Sequence, residues 1–168
     1  MTEAVTRVYI GLGSNIDDPL DQIRRALREL DGLARVRLVR VSSLYRSPPM
    51  GPAGQPDYLN AVAALDTSLG ADELLVLLQG IEEFHHRVRG VHWGPRTLDL
   101  DLLLYGDQCI ETPHLRVPHH GLQERNFVLY PLAEVAPSGL VVPGQGPLAD
   151  LLARCPETGL ERLEEALP

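Results

Sequence analysis

The sequence predicts an α+β fold with a ferredoxin-like βαββαβ core, in which helices pack on one face of an antiparallel sheet, followed by C-terminal additions. Strand-like and helix-like hydrophobic patterns alternate up to about residue 105 in the order strand, helix, strand, strand, helix, strand. The length of 168 residues and the hydrophobic content of 44% fit one compact core. Residues 1–168 are therefore expected to form a single domain.

The first half of the predicted core is a strand, a helix and a second strand. Residues 5–12 form the first predicted strand. Asp18 and Pro19 then give the cap and first-turn signals of a helix, and apolar residues at helical spacing continue it to a stop at Gly32. Residues 36–45 are rich in β-branched side chains and form the second predicted strand.

The second half of the predicted core begins after a proline-rich loop. Residues 47–57 contain four prolines and two glycines, too many to continue a sheet. Residues 58–65 form the third predicted strand, and residues 71–84 form a helix with acidic residues in its first turn. Residues 98–105 form the fourth predicted strand.

The C-terminal third has a less regular pattern than the core. It predicts a short helix over residues 126–135, a short strand over residues 140–142 and a last helix over residues 147–155. These segments are the expected additions to the core. The order of elements predicts the fold alone, because one fold hosts many functions.

Charge and composition exclude several functional classes. The formal net charge is −8, so phosphate binding must depend on a local basic cluster, and nucleic acid is not an expected partner. All 15 basic residues are arginines, which excludes the phosphate-loop lysine, the protein-kinase strand lysine and Schiff-base catalysis. We find no apolar run of membrane-spanning length and no signal-peptide pattern, so we expect a cytoplasmic protein without membrane contact.

The clearest chemical motif is the pair Asp99 and Asp101 in the fourth predicted strand. Because side chains alternate along a strand, both carboxylates should project from one face, with their Cα atoms about 7 Å apart. Carboxylate oxygens suit Mg2+ or Mn2+. We interpret the pair as a candidate metal site, and an acidic strand face without function is the alternative.

A basic segment lies directly upstream of this pair. Residues 85–96 contain three arginines and three histidines without a carboxylate. Arg87, Arg89 and Arg96 can make bidentate contacts to phosphate oxygens, and a solvated basic loop is the alternative. Arginines beside metal-binding aspartates predict a polyphosphate site, because phosphoryl or pyrophosphoryl transfer depends mainly on positioning and charge neutralisation.

Aromatic and amide side chains suggest a site for a flat heterocycle. Tyr58 and Asn60 alternate on the third predicted strand, and Phe127 follows Arg125 closely in sequence. Core packing is the alternative for either aromatic ring. The GLGSN string at residues 11–15 lacks the third glycine of a dinucleotide fingerprint and is expected to form a tight turn between strand and helix.

Six strings carry a family resemblance: YIGLGSN at residues 9–15, SLYRSPPMG at 43–51, QPDYLN at 55–60, WGPRTLDLD at 93–101, VPH at 117–119 and RNF at 125–127. In this order they resemble the hydroxymethyldihydropterin pyrophosphokinases, and WGPRTLDLD is close to a family signature. The resemblance implies magnesium-dependent transfer of pyrophosphate from ATP to 6-hydroxymethyl-7,8-dihydropterin. The implied products are AMP and the pterin diphosphate, in folate biosynthesis.

The resemblance also implies roles for individual residues in a free-standing monomer. Asp99 and Asp101 would bind two Mg2+ ions. The transferring group would be neutralised by Arg87 and Arg96. The residues that would hold ATP, the co-substrate, are Gln79, Glu82, Arg89, Trp93, Arg96, His119 and Arg125. The residues that would bind the pterin are Ser47, Pro48, Met50, Tyr58, Asn60 and Phe127.

Two other functions are alternatives. A non-catalytic ferredoxin-like module could bind a pterin or a nucleotide, but it would have no reason to combine the two aspartates with Arg87 and Arg96. A different magnesium-dependent phosphoryl or nucleotidyl transferase would leave Tyr58, Asn60 and Phe127 without a role. The product separates the transferases, because AMP marks pyrophosphoryl transfer and ADP marks an ordinary kinase.

Overall fold

The computed structural model describes residues 4–49, 54–85, 97–164 and 167. The strands are β1 (Thr6–Ser14), β2 (Val36–Val41), β3 (Tyr45–Ser47), β4 (Tyr58–Thr67), β5 (Asp99–Tyr105), β6 (Ile110–Glu111), β7 (Arg116–Val117), β8 (Val141–Val142), β9 (Gly146–Pro147) and β10 (Glu161–Arg162). The helices are α1 (Pro19–Asp31), α2 (Ala71–Phe84), α3 (Asn126–Val135) and α4 (Leu148–Arg154), with a 3-10 turn at Leu122–Glu124. The predicted mixture of helices and strands is confirmed.

The main sheet is antiparallel at every recorded pairing, as predicted. β1 is an interior strand that lies between β4 and β5. β2 and β3 pair with different parts of β4, and β10 pairs with the outer edge of β3. Two small ladders, β6 with β7 and β8 with β9, lie outside this sheet. The order of the long strands is therefore β2, β4, β1, β5.

The sheet separates two hydrophobic layers. Leu27 of α1 and Leu78 of α2 are fully buried against one face of the sheet. On the other face, Leu129 of α3 packs in a second cluster with Leu103 of β5 and Leu151 of α4. The two helices predicted for the core, α1 and α2, therefore pack on the same face, as expected. The C-terminal additions α3 and α4 cover the other face, where β1, β4 and β5 also present buried apolar residues.

Local sequence signals account for most helix boundaries. α1 begins after Asp18, whose carboxylate accepts a hydrogen bond from the Asp21 amide, and Pro19 lies in its first turn. The helices predicted over 71–84 and 126–135 are confirmed at the same residues. None of the helices in the described ranges has the length and apolar character of a membrane-spanning segment.

Two boundary predictions are wrong. The strand predicted over residues 36–45 is two strands, β2 and β3, interrupted at residues 42–44. The GLGSN string at residues 11–15 is expected as a tight turn, yet its first residues lie inside β1, where Gly11 and Gly13 both pair with β5. Glycine weakens a strand, but it leaves open the space that a side chain would fill at these two positions.

Candidate active site

A row of facing residues crosses the sheet from β3 to β5. Tyr45 of β3 pairs with Asn60 of β4. Gly13 of β1 pairs with Asn60 on one side and with Asp99 of β5 on the other. Residues directly opposite each other in antiparallel strands point to the same face, so these side chains share one face of the sheet. Neighbouring strands lie about 4.8 Å apart, which separates the backbones of Asn60 and Asp99 by about 10 Å.

The second aspartate lies one row further along β5. Asp101 pairs with Gly11, which pairs with Val62 on its other side. Burial alternates along this part of β5, and Asp99 and Asp101 are both partly exposed. The two carboxylates therefore project side by side. At both rows the facing residue of β1 is glycine, so β1 places no side chain beside either carboxylate.

These two carboxylates are the metal-ligating groups that the described residues offer here. Within the described ranges, no cluster of three or more histidine, cysteine, aspartate or glutamate residues could hold an ion. In proteins Mg2+ is usually held by one or two carboxylates and keeps waters or substrate phosphates as its other ligands, so the pair Asp99 and Asp101 suits it.

Glu82 of α2 supports β5 from the opposite face. Its side chain is buried, with 6% of the residue exposed. Its Oε2 accepts a hydrogen bond from the amide of Leu100, the residue between the two aspartates, at 2.8 Å. Gln79, about one helical turn earlier, is exposed. The Glu82 carboxylate thus contacts the backbone of the strand that carries the aspartates.

His119 approaches the aspartate pair. Its Nε2 lies 4.0 Å from Oδ1 of Asp101, and its Nδ1 accepts a hydrogen bond from the Gly121 amide. Burial, and then the charges of Arg125 and His120, lower the pKa of His119 to about 4. The ring is therefore neutral at pH 7. Because Nδ1 is an acceptor, its proton lies on Nε2, which faces Asp101.

Arg125 and Phe127 lie together at the start of α3. The guanidinium carbon of Arg125 is 5.9 Å from the centroid of the Phe127 ring. Gly121 makes room for this arginine, because a Cβ at that position would lie 2.6 Å from Arg125 Nε. Both side chains are partly buried. The structure thus brings together two residues that the sequence analysis selected.

Asn60, Ser47 and Tyr58 form a compact polar group on the same sheet face. Asn60 Nδ2 donates a hydrogen bond to Ser47 Oγ at 2.7 Å, and both residues are buried. Tyr58 is partly buried and pairs with Ser47. A Cβ at Gly13 would lie 3.4 Å from Asn60 Oδ1 and 3.8 Å from Tyr58 Cδ1, so the glycine leaves these side chains their space.

The sequence analysis missed a carboxylate that holds β3 against α3. Glu134 accepts hydrogen bonds from the amide of Ser43 at 2.9 Å, from its hydroxyl at 2.8 Å and from the Tyr45 hydroxyl. Burial would raise the pKa of Glu134, but the hydrogen bonds from Tyr45 and Ser43 outweigh it and lower that pKa. Burial, together with the neighbouring carboxylate, raises the pKa of Tyr45.

The remaining predicted site residues lie outside the described residues: Met50, Arg87, Arg89, Trp93 and Arg96. The structure does describe the residue from which the basic segment departs. His85 is buried at the end of α2, and its two ring nitrogens face Oε1 of Gln22 and Oε1 of Glu29. The first residue of the basic segment, His85, is therefore fixed to α1 through Gln22 and Glu29.

Known proteins resemble this chain over most of its length. The model of the 7,8-dihydro-6-hydroxymethylpterin-pyrophosphokinase (HPPK) family matches residues 9–137. The 2-amino-4-hydroxy-6-hydroxymethyldihydropteridine pyrophosphokinase of Pseudomonas aeruginosa is 53% identical over 162 residues, which are 96% of this chain and 99% of that protein. The protein of the same name from Haemophilus influenzae is 46% identical over 144 residues, 86% of this chain and 89% of that protein.

Solved structures share the fold. The wild-type HPPK-DHPS of Plasmodium falciparum, solved with pteroate, superposes with a TM-score of 0.71 at 13% identity. The superposition covers 92% of this chain and 43% of that one, so this chain spans less than half of the larger protein. At this level of identity, the likeness concerns the fold alone.

Proposed function

The chain belongs to the 7,8-dihydro-6-hydroxymethylpterin-pyrophosphokinase family, and we propose that the sheet face carrying Asn60, Gly13 and Asp99 is its active site. The protein is an ATP-dependent pyrophosphokinase of folate biosynthesis, and it transfers pyrophosphate from ATP to 6-hydroxymethyl-7,8-dihydropterin. The observation that supports the location is the row that joins Asn60 to Asp99 across Gly13. It brings the proposed pterin-binding and metal-binding groups to one face.

We expect Asp99 and Asp101 to hold two Mg2+ ions. The donor set fits, because both are partly exposed carboxylates on one strand face with glycine opposite each. When bound, Mg2+ supplies charge neutralisation for the phosphates and makes the attacking hydroxyl more acidic. No side chain then needs to act as a strong base, and the task of the protein is to hold both substrates in line.

The nucleotide is proposed to lie on the side of His119 and Arg125. His119 is neutral at pH 7 and acts there as a hydrogen-bond donor, whereas Arg125 supplies a permanent positive charge. The other proposed nucleotide-binding residues are Gln79, Glu82, Arg89, Trp93 and Arg96. Arg96 is also proposed to act with Arg87 on the transferring group, whose negative charge both guanidinium groups would stabilise.

The pterin is proposed to bind between Asn60 and the aspartates. Because Asn60 Nδ2 donates to Ser47, its Oδ1 is the atom directed toward Gly13, where it suits an N–H donor of the pterin. Tyr58 and Phe127 would bracket the ring. The pocket would be completed by the segment that includes Ser47, Pro48 and Met50. Without a Cβ at Gly13, a flat ring can approach the strand closely.

Four broader assignments are also part of the proposal. The strand order β2, β4, β1, β5 supports a ferredoxin-like core. The two hydrophobic layers share one central sheet, which supports a single pyrophosphokinase domain over residues 1–168. We further propose that the enzyme acts in the cytoplasm as a monomer. A measurement of molar mass in solution tests the last point, and a dimer at working concentration would contradict it.

One assay tests the proposed site. Wild-type protein is incubated with ATP, Mg2+ and 6-hydroxymethyl-7,8-dihydropterin, and AMP and pterin diphosphate are measured together. We expect equal amounts of the two products, and we expect Asp101→Asn to bind the pterin without forming AMP. Formation of ADP would indicate an ordinary kinase. Pterin binding by the wild type without any AMP would favour a non-catalytic module.

A further inference from the structure

The chain beyond α4 returns to the proposed pterin pocket. Residues 156–163, which we call the tail, lie outside the part of the chain that the family model matches. β10 lies in this tail and pairs antiparallel with β3, with Glu161 opposite Arg46 and Arg162 opposite Tyr45. Tyr45 is also the β3 residue opposite Asn60. The tail thus extends the row of facing residues by one strand.

Hydrogen bonds and an ion pair hold the tail along β3. The Leu163 amide donates to the Leu44 carbonyl at 2.8 Å. Arg162 Nε donates to Ser43 Oγ at 3.0 Å, and Arg46 lies 3.3 Å from the Glu161 carboxylate. β3 ends at Ser47, which binds Asn60. The position of this short strand therefore depends on β4 on one side and on the tail on the other.

The tail also contacts the start of α3. Asn126 Nδ2 donates hydrogen bonds to the carbonyl oxygens of Pro156 and Thr158, both at 3.0 Å. Asn126 is the first residue of α3 and directly precedes Phe127, which is proposed to bind the pterin. A shift of the tail would therefore move the Phe127 ring.

The tail touches the proline-rich segment as well. Gly159 has a φ of +79°, and a Cβ built there would lie 3.3 Å from Cδ and Cγ of Pro48. That contact is tighter than ordinary van der Waals packing. Glycine is thus favoured at residue 159 by its left-handed backbone and by its close approach to Pro48.

We propose that the tail is a positioning element of the pterin pocket, which sets the separation between Pro48 and the start of α3. The inference rests on the proposed pterin site. Pro48 and Phe127 lie far apart in sequence, and the tail contacts both of their segments. If the tail sets this separation, its disturbance should weaken pterin binding more than it affects ATP or turnover.

A matched pair of glycine substitutions tests this role. Gly159→Ala adds a methyl group against Pro48, whereas Gly144→Ala adds one at a φ of +74° with no neighbouring atom of the described residues within 4 Å. Both variants carry similar backbone strain, so their difference isolates the contact with Pro48. The measurements are the pterin Kd, from pterin fluorescence, and the KM values for pterin and ATP.

We expect Gly159→Ala to raise the pterin Kd and KM at least about fivefold relative to Gly144→Ala, with kcat and the KM for ATP changed less than about twofold. A pterin Kd equal in the two variants would overturn the proposal. An equal rise in the constants for both substrates would do the same, because it would indicate a general loss of structure.

Asn126→Ala is the second variant, and it keeps the test decisive if Gly159→Ala does not fold. It removes both hydrogen bonds to the tail, and alanine is well tolerated in a first helical turn. Its pterin Kd should also rise, and an unchanged value would overturn the proposal. Wild-type turnover is measured in parallel. Absent AMP formation by the wild type would count against the proposed function, whereas normal turnover with insensitive variants would count against the tail alone.

Discussion

The two sides of the proposed site are held together in different ways. The aspartate side consists of β1 and β5, whose backbones pair continuously from Gly11 to Gly13 opposite Asp99 and Asp101. The pterin side consists of β3, Pro48 and the start of α3, which are joined by side-chain bonds and by the tail. Substitutions of the two aspartates should therefore change chemistry with little loss of stability. Substitutions on the pterin side should change stability or binding.

The largest effect is expected for the aspartates themselves. Asp99→Asn and Asp101→Asn keep the shape of the side chain but remove a charge, and each should lower kcat by about 100-fold or more. The free energy of unfolding should change by less than about 0.5 kcal/mol, because both side chains are partly exposed. The measurements are AMP formation at saturating substrate and unfolding in urea.

Asp107→Asn is the matched control, because it makes the same chemical change at an exposed residue just after β5. It should leave kcat unchanged within about twofold. Near-normal turnover in either Asp99→Asn or Asp101→Asn would contradict the metal site. Loss of the folded state in either variant would show that the aspartate side chains, and not only the backbone pairing of β1 with β5, are needed for stability.

The next largest effect is expected at Gly13. Gly13→Val keeps a good strand former but fills the space beside Asn60 and Tyr58, and overfilling of this kind costs about 1–3 kcal/mol. If this cost falls on substrate binding, kcat/KM should drop by about 5-fold to 150-fold. Gly13→Ala is the graded control, because its Cβ would lie 3.4 Å from Asn60 Oδ1. An equal fall in kcat/KM for alanine and valine would contradict the proposal that the free volume beside Asn60 and Tyr58 is needed for substrate binding.

The sequence predicts those parts of the site whose residues are close together in the chain. It does not predict contacts between residues that are far apart in the chain. Asp99 and Asp101 can be found from sequence because two residues of one strand are related by its period of two. The glycines that face them are predicted as a turn, since the pairing of residue 13 with residue 99 is a matter of sheet register. Glu134 and Tyr45 escape the sequence analysis for the same reason, because 89 residues separate them.

The length of an element decides whether the sequence predicts it. The helices over residues 71–84 and 126–135 are long enough to show a period and are predicted at their observed bounds. β3 and β10 have only three and two residues, which carry no readable period. The pterin side is built from these short strands and from long-range side-chain bonds, so sequence patterns predict its residues but not its construction.

A smaller effect, on stability, is expected at Glu134. Glu134→Gln weakens charge-assisted hydrogen bonds from Tyr45 and Ser43 and should lower the free energy of unfolding at pH 7 by about 1–2 kcal/mol. The pKa of Glu134 in the folded protein is below its ordinary value of 4.5. Its contribution is therefore present above that value and is lost as the pH falls through the folded pKa.

Urea unfolding of wild type and variant as a function of pH measures this contribution. The difference between the two proteins should be constant near neutral pH and should shrink below about pH 4.5. Glu124→Gln serves as the control, since Glu124 is exposed in the 3-10 turn. A difference that does not change with pH would mean that the carboxylate charge contributes nothing to holding β3.

The smallest effect is expected at Gly80, where alanine should stabilise the protein. Gly80 lies inside α2, and a Cβ at this position would have no neighbouring side chain of the described residues within 4 Å, so the added methyl group would meet open space. Glycine inside a helix costs about 0.5–1 kcal/mol relative to alanine, and Gly80→Ala should gain about that amount in urea unfolding. Turnover should stay within about twofold of the wild type.

Gly13→Ala should give the opposite result, with lower kcat/KM, because its Cβ would lie 3.4 Å from Asn60 Oδ1, in the space that the pterin ring is proposed to enter. If alanine at residue 80 impaired turnover as much as alanine at residue 13, crowding beside Asn60 could not be the cause of the loss at Gly13.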